Sequence, residues 1–333
     1  MKLKYKQINS GDISELLLNN FPNLLAGFYE MQSSFLCGLY KRYNSIETAN
    51  IILCLAKNKH LGIVRKREKN LDHDISFKNL LNNINNTEVE GQKIISIVNT
   101  TNVPKETVRR KIKKLINRNF VEINKKTKGY YWNLKPKDKD DYIKVINDEI
   151  EILSKFVAIF CNYLNFKLDR AMIANEIKSH FSFYWYHFLT CQLQWLRMWQ
   201  INIKDIDLIL ITLQALIPTL QHSNKTEKLK LSGLENLYKI VGKTDGKSKY
   251  SDIAISASSV SEITGIPRAT CMRKLDTLLK LEVLEKEDKT KRYYINQNLN
   301  SKNNIFTKDN VNNTIAIFSE YLSIIINALI RNK

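Results

Sequence analysis

The apolar positions near the C-terminal end of the chain predict two short helices joined by a turn. Residues 257–263 have helical spacing, and Thr264-Gly265 follows as a turn in which glycine can adopt a positive φ. Pro267 suits the first turn of the next helix, where a backbone N–H has no partner. That helix is predicted over residues 267–280, because four apolar residues share one of its faces: Cys271, Leu275, Leu278 and Leu279.

A basic hairpin is predicted directly after these helices. Residues 283–284 begin a strand, residues 287–291 are polar and turn-like, and residues 292–295 return as a second strand. The order helix, turn, helix, hairpin is that of a winged helix-turn-helix unit, whose second helix reads DNA in the major groove.

The same pattern occurs earlier in the chain. Residues 101–133 align without a gap to residues 264–296, and 13 of the 33 aligned positions are identical. The first copy predicts a recognition helix over residues 104–117. Weaker similarity extends to both sides, and a long helix is predicted after each copy, over residues 141–166 and 309–330. We therefore interpret the chain as a tandem duplication.

The predicted fold class is mainly α, with small β-wings. The expected halves are residues 1–166, with the recognition motif at 94–134, and residues 167–333, with the motif at 257–297. Long N- and C-terminal helices frame each motif.

Charge favours a nucleic-acid partner. The chain holds 52 Lys and Arg against 33 Asp and Glu, a net charge of +19, although an AT-rich coding sequence would also enrich lysine. The excess is concentrated in the motifs: residues 101–134 have a net charge of +8, and residues 264–297 have +3. Duplex DNA is the expected partner, and the second copy is expected to bind it more weakly or at a different sequence.

Polar and basic side chains of the recognition helices are expected to reach base edges, and those of the hairpins to reach phosphates. The candidate DNA-binding residues on the helices are Lys105, Thr107, Arg109, Arg110, Lys113, Arg268, Thr270, Arg273 and Lys274. Those on the hairpins are Lys125, Lys126, Lys128, Lys289, Lys291 and Arg292.

Both copies carry the pattern P-[KR]-x-T-x-x-R-K-[IL]-x-x-L followed by a KTK hairpin. With the helical framing, this resembles bacterial winged helix-turn-helix transcriptional regulators, and MarR-like regulators most closely. The resemblance implies a sequence-specific regulator in which one chain acts as an intramolecular pseudo-dimer. It also implies an effector site between the frame and the winged helix, for which the aromatic run at Tyr184, Trp185 and His187 is the candidate. The fusion of two copies departs from the family pattern.

Other functions have less support in the sequence. No nucleophile elbow, zinc-protease motif or glycine-rich dinucleotide loop occurs, so neither catalysis nor a cofactor is expected. The five cysteines are scattered and show no metal spacing. No apolar run approaches the roughly 20 residues of a membrane span, so a cytoplasmic, nucleoid-associated protein is expected.

Two alternatives remain open. Plasmid-type replication initiators also place two winged helices in one basic chain, and would bind tandem repeats at an origin. A protein-interaction scaffold would use winged helices that no longer contact DNA, and loss of charge on both recognition helices would favour it.

Overall fold

A computed structural model describes residues 7–83, 90–124, 126–135, 138–226, 253–296 and 308–331. This part of the chain is mainly helical, as the sequence predicts. It contains thirteen helices and two small antiparallel sheets of two strands each.

The first half of the chain contributes α1 (Ser10–Asn19), α2 (Phe21–Tyr43), α3 (Ile46–Lys69), α4 (Phe77–Asn83), α5 (Ile94–Thr101), α6 (Lys105–Asn117), β1 (Val121–Ile123), β2 (Tyr130–Trp132) and α7 (Lys139–Tyr163). The second half contributes α8 (Arg170–Ser179), α9 (Phe181–Asn202), α10 (Asp207–Thr226), α11 (Ala257–Thr264), α12 (Arg268–Lys280), β3 (Leu284–Lys286), β4 (Tyr293–Ile295) and α13 (Lys308–Arg331).

Corresponding elements recur at a constant interval around the repeated motif. Helices α5 and α6 and strands β1 and β2 begin and end 163 residues before α11, α12, β3 and β4. Both hairpins also pair in the same register, with Val121 opposite Trp132 in the first and Leu284 opposite Ile295 in the second. The helices predicted at 104–117 and 267–280 are confirmed within a residue at each end.

The chain packs as two compact units that are discontinuous in sequence. Unit 1 comprises residues 1–9, 47–201 and 317–333, and unit 2 comprises residues 10–46 and 202–316. Unit 1 therefore contains the first hairpin together with α9 from the second half. Unit 2 contains the second hairpin together with α1 and α2 from the first half. Each unit is thus built from both halves of the chain.

Helix α9 supplies much of the core of unit 1. Twelve of its residues are buried, and a helix that is apolar on most sides must be covered on most sides. Trp185 stacks on Phe181 with ring centroids 4.9 Å apart, and the Tyr184 hydroxyl donates to Glu176. His187 is half-buried against Phe183, and burial lowers its pKa. These side chains are packed against neighbours, and an effector site beside Tyr184, Trp185 and His187 stays a prediction.

Helices α3 and α13 of the frame each have a further feature. The basic run at residues 65–69 continues helix α3 to Lys69, and basic side chains there complement the negative end of the helix dipole. Among the described residues, one helix is long and apolar enough to cross a membrane: residues Asp309–Arg331 of α13 have a hydropathy of 1.5. Of that stretch, 56% is buried inside the protein, as in a core helix.

A buried carboxyl group lies in unit 1. Glu149 on α7 is only 4% exposed, and its Oε1 has no hydrogen-bond partner in the described part of the chain. Burial is the main cause that raises the pKa of Glu149 to about 8, and the neighbouring charge of Asp148 contributes to the same shift. The folded state therefore favours the protonated form of this side chain.

The stability of the protein should fall with rising pH because of Glu149. A carboxyl group whose pKa is higher in the folded state keeps its proton there, while the unfolded chain releases it above its ordinary pKa of 4.5. Between pH 4.5 and about 8, this one group should lower the free energy of unfolding by about 1.4 kcal/mol per pH unit. Glu149→Gln should remove that slope in urea unfolding measured from pH 5 to 9.

Glu151→Gln is the matched control, because it neutralises an exposed carboxylate on the same helix that pairs with Arg170. It should leave the pH slope close to that of the parent. An unchanged slope in Glu149→Gln would contradict the assignment.

Candidate nucleic-acid interface

A buried threonine fixes the turn between α5 and α6 in unit 1. The Thr101 Oγ1 donates to the Ile97 carbonyl at 2.7 Å and accepts from the Val103 N–H at 3.3 Å. Asn102 takes the left-handed conformation at φ 56°, and Pro104 then precedes the first residue of α6. These local contacts set the direction of α6.

Unit 2 repeats this turn with the same atoms. The Thr264 Oγ1 donates to the Val260 carbonyl at 2.6 Å and accepts from the Ile266 N–H at 3.2 Å. Gly265 takes the left-handed position at φ 75°. A Cβ at Gly265 would lie 2.7 Å from the Lys41 side chain, so glycine also allows a close approach to α2.

Helix α6 buries one face and exposes a strongly basic one. Val108, Ile112 and Leu115 are buried in unit 1. The exposed residues include one acid, Glu106, and five cations: Lys105, Arg109, Arg110, Lys113 and Lys114. Arg109 pairs with Glu106 at 2.7 Å, and both side chains are at least half exposed. Such a surface pair contributes little to stability, so the cost of separating it to bind a base would be small.

Helix α12 exposes a more mixed face. Arg268 and Arg273 are exposed, together with Asp276 and the apolar Met272. Arg268 Nε donates to the Ser258 hydroxyl at 3.2 Å. Met272 occupies the position that corresponds to Arg109, and Asp276 the position that corresponds to Lys113. Thr107 and Thr270 are half-buried at corresponding positions.

Helices α6 and α12 each carry a lysine that forms an ion pair within its own unit. In unit 1, the Lys111 ammonium lies 3.1 Å from the Glu47 carboxylate and donates to the Thr48 hydroxyl at 2.9 Å. Both acceptors belong to the first turn of α3, so these contacts join α6 to that helix. Lys111 was not among the residues predicted to contact DNA.

In unit 2, the corresponding Lys274 pairs with Asp205 at 2.5 Å and with Asp207 at 3.3 Å. Its side chain is 12% exposed, so the structure places Lys274 in an internal ion pair and not on the exposed face where the sequence analysis put it. Burial raises the pKa of the Asp207 carboxyl, and the Lys274 charge opposes that shift. Asp207 also accepts from the Ile46 N–H.

Each hairpin is extended by a short third pairing that the sequence analysis missed. Gln92 exchanges two backbone hydrogen bonds with Tyr130 in unit 1, and Ile255 does the same with Tyr293 in unit 2. Gly91 and Gly129 approach so closely that a Cβ on either would come within 3 Å of the other. The segment before the first helix is thereby anchored to the hairpin in both units.

The hairpin tips carry exposed cations. Lys126 and Lys128 are exposed in the first hairpin, and Lys289, Lys291 and Arg292 are exposed in the second. Lys128 and Lys291 occupy corresponding left-handed positions, at φ 52° and φ 57°. Lys125 lies outside the described residues.

Structural roles explain many of the identities between the two copies. The threonines and prolines shape the turns, the lysines at 111 and 274 form ion pairs, and Leu115 and Leu278 are buried. Three identical pairs are exposed and basic: Arg110 with Arg273, Lys126 with Lys289, and Lys128 with Lys291. Their charged groups have no hydrogen-bond or ion-pair partner within the described ranges. These pairs are the strongest candidates for an external partner.

No protein-family profile, curated protein or solved structure matches this chain. In the described part of the chain, no group of three or more His, Cys, Asp or Glu side chains could hold a metal ion. The five cysteines are buried and form no disulfide bonds.

The ion pair of Lys274 should stabilise unit 2. Lys274→Met leaves the poorly exposed Asp207 carboxylate without its main cation, and should lower the free energy of unfolding by about 1–3 kcal/mol. Urea unfolding at neutral pH measures this change. Adding Asp207→Asn should recover part of the loss, because the uncompensated charge is removed.

The control is Arg273→Met, which removes the adjacent exposed cation and should change stability far less. A loss that is equal in Lys274→Met and Arg273→Met would show that the ion pair does not stabilise the unit.

Proposed function

We propose that this protein is a sequence-specific duplex-DNA-binding regulator of transcription. In this proposal α5–α6 with the first hairpin, and α11–α12 with the second, are two winged helix-turn-helix units that arose by duplication. Helices α6 and α12 are the recognition helices that enter the major groove, and the hairpins are wings that contact phosphates or the minor groove.

The observation that carries the proposal is the set of basic side chains that both copies keep exposed. Arg110 and Arg273 lie on the recognition helices, where an arginine can bind guanine through two hydrogen bonds. Lys126 with Lys289, and Lys128 with Lys291, lie at the hairpin tips, where cations neutralise phosphates. A fold-stabilising role would not require the same charge to be exposed at the same position twice.

The helix, turn, helix and hairpin order with its third strand pairing also supports the proposal. The hydrogen bonds of the turn and hairpin recur with their partners shifted by 163 residues: the Asn133 N–H donates to the Phe120 carbonyl, and the Asn296 N–H to the Val283 carbonyl. If both copies bind DNA, one chain supplies the two recognition helices that a dimeric regulator supplies from two chains. This is the pseudo-dimer interpretation.

The two recognition helices should not bind DNA equally. Helix α6 exposes five cations and one acid, whereas α12 has Met272 and Asp276 where α6 has Arg109 and Lys113. Methionine offers an apolar surface to a thymine methyl group, and aspartate can accept from cytosine N4. The two half-sites should therefore differ in sequence, and the first should contribute more of the salt-dependent affinity.

Selection of duplexes from a random pool, read at two salt concentrations, tests this function. We expect two unlike half-sites about one helical turn, or about 10 base pairs, apart. Arg110→Ala and Arg273→Ala should each weaken binding to the selected site by about 1–3 kcal/mol and relax the preference in one half-site only. Lys126→Ala should weaken binding to all sequences and reduce the dependence on salt.

Lys78→Ala is the charge-matched control, because Lys78 is an exposed lysine on α4, which lies outside both motifs in the sequence. It should leave both affinity and preference unchanged. Absence of any enriched sequence would overturn sequence-specific regulation. Enrichment of tandem repeats with local melting would favour the replication initiator instead, and loss of DNA binding at moderate salt would favour the interaction scaffold.

A further inference from the structure

A concave cavity in unit 1 lies between α3 and the segment that leads into α5. Its volume is about 460 Å³. Small-molecule sites commonly occupy roughly 300–1,000 Å³, so the cavity is large enough for an organic or polyphosphate ligand. A single backbone phosphate of DNA needs no such concavity.

The cavity wall is strongly basic. Arg65, Lys66 and Lys69 contribute from α3, Lys93 contributes from the opposite side, and Glu90 is the one acid among the described residues of the lining. All five side chains are exposed at the cavity mouth. Burial lowers the pKa of the nearby Lys59 to about 8, and the charge of Lys66 contributes to that shift. Four cations facing one acid favour a ligand with several negative charges.

The N-terminus of α5 opens onto the same cavity. Lys93 is the N-cap residue of α5 and provides no side-chain acceptor, and Ser96 in the first turn lines the cavity. The first N–H groups of a helix have no partner within the helix and attract anions. Unit 2 differs at the corresponding position, because Ser256 accepts from the Ser259 N–H and so caps its own helix.

We propose that this cavity binds a small polyphosphate anion, such as pyrophosphate or the phosphate tail of a nucleotide. Arg65, Lys66 and Lys69 bind the phosphate oxygens from one side. Lys93 and the first turn of α5 bind them from the other. The N-terminus of α11 in unit 2 differs, because Ser256 already accepts from one of the N–H groups of that helix end.

Ligand binding should change the first wing through Lys93. The Lys93 ammonium donates to the Thr127 carbonyl near the hairpin tip, and Gln92 pairs with Tyr130 at the start of β2. A polyphosphate that engages Lys93 competes with Thr127 for that ammonium and places negative charge beside Lys126 and Lys128. The anion should therefore weaken DNA binding by the first wing; this regulatory part rests on the proposed function.

Titration of pyrophosphate into the full-length protein without DNA, by calorimetry at about 0.15 M salt, tests the site directly. We expect saturable binding with one site per chain. Lys66→Gln should weaken it about tenfold, because one charge-assisted hydrogen bond is lost. Gly62→Glu should abolish it, since Gly62 lines the cavity on α3 and the new carboxylate repels phosphate, while glutamate favours the helix more than glycine does. The control Lys78→Gln should leave binding unchanged.

The second arm measures the affinity for the selected DNA with and without pyrophosphate. The parent protein should bind DNA more weakly when pyrophosphate is present, and Gly62→Glu should lose this response. No saturable pyrophosphate binding, or equal binding in Gly62→Glu, overturns the site. If no pyrophosphate binds but Lys66→Gln weakens DNA binding, the cavity holds a DNA phosphate, which also overturns it. Pyrophosphate binding by a chain that binds no DNA leaves the site standing and overturns the proposed function.

Discussion

The orientation of α6 and of α12 depends on one buried threonine in each copy. Thr101 and Thr264 are fully buried, and each hydroxyl both donates to the preceding helix and accepts from the turn. A buried hydroxyl left without partners is costly, so the turn is held where both bonds form. The left-handed residue that follows reverses the chain, and a proline then starts the next helix. Which side chains of α6 and α12 face outward follows from this geometry.

The lysine ion pairs also hold α6 and α12 in place. Lys111 joins α6 to an acid at the start of α3, and Lys274 joins α12 to an acid at the start of α10. These lysines are identical in the two copies, as are the adjacent exposed arginines at 110 and 273. Two neighbouring cations thus differ: one is held in an ion pair inside the unit, and the other is exposed. A single substitution at each position can separate their effects.

The local elements could be predicted well from the sequence, because their signals are local. Apolar spacing, turn residues and the internal repeat gave α6 and α12 to within a residue, and a long helix after each hairpin. The repeat also predicted most of the residues on the exposed faces of α6 and α12. It could not show which side chain meets an acid from another element, so Lys274 was placed on the DNA-binding face and Lys111 was left out. Applying the repeat strictly would have assigned both lysines one role.

Long-range features were not predictable from the same signals. The pairing of Gln92 with Tyr130 involves one residue on each side, which is too short for an alternating pattern. The sequence halves also do not correspond to the compact units, since α9 packs in unit 1 and α2 in unit 2. Both helices present apolar side chains on several faces, and periodicity shows only that such a helix is buried, not which partner buries it.

Because the compact units do not coincide with the sequence halves, the ways in which the sequence can diverge are limited. A half cut at residue 166 would carry the first hairpin but lose α9, whose aromatic side chains fill the core of unit 1. It would expose the surface that α9 covers, and should not fold as unit 1 does. The two copies are therefore free to diverge at exposed positions such as Arg109 and Met272, while the buried frame ties them to one chain. The unequal charge of α6 and α12 is a difference that such a constraint permits.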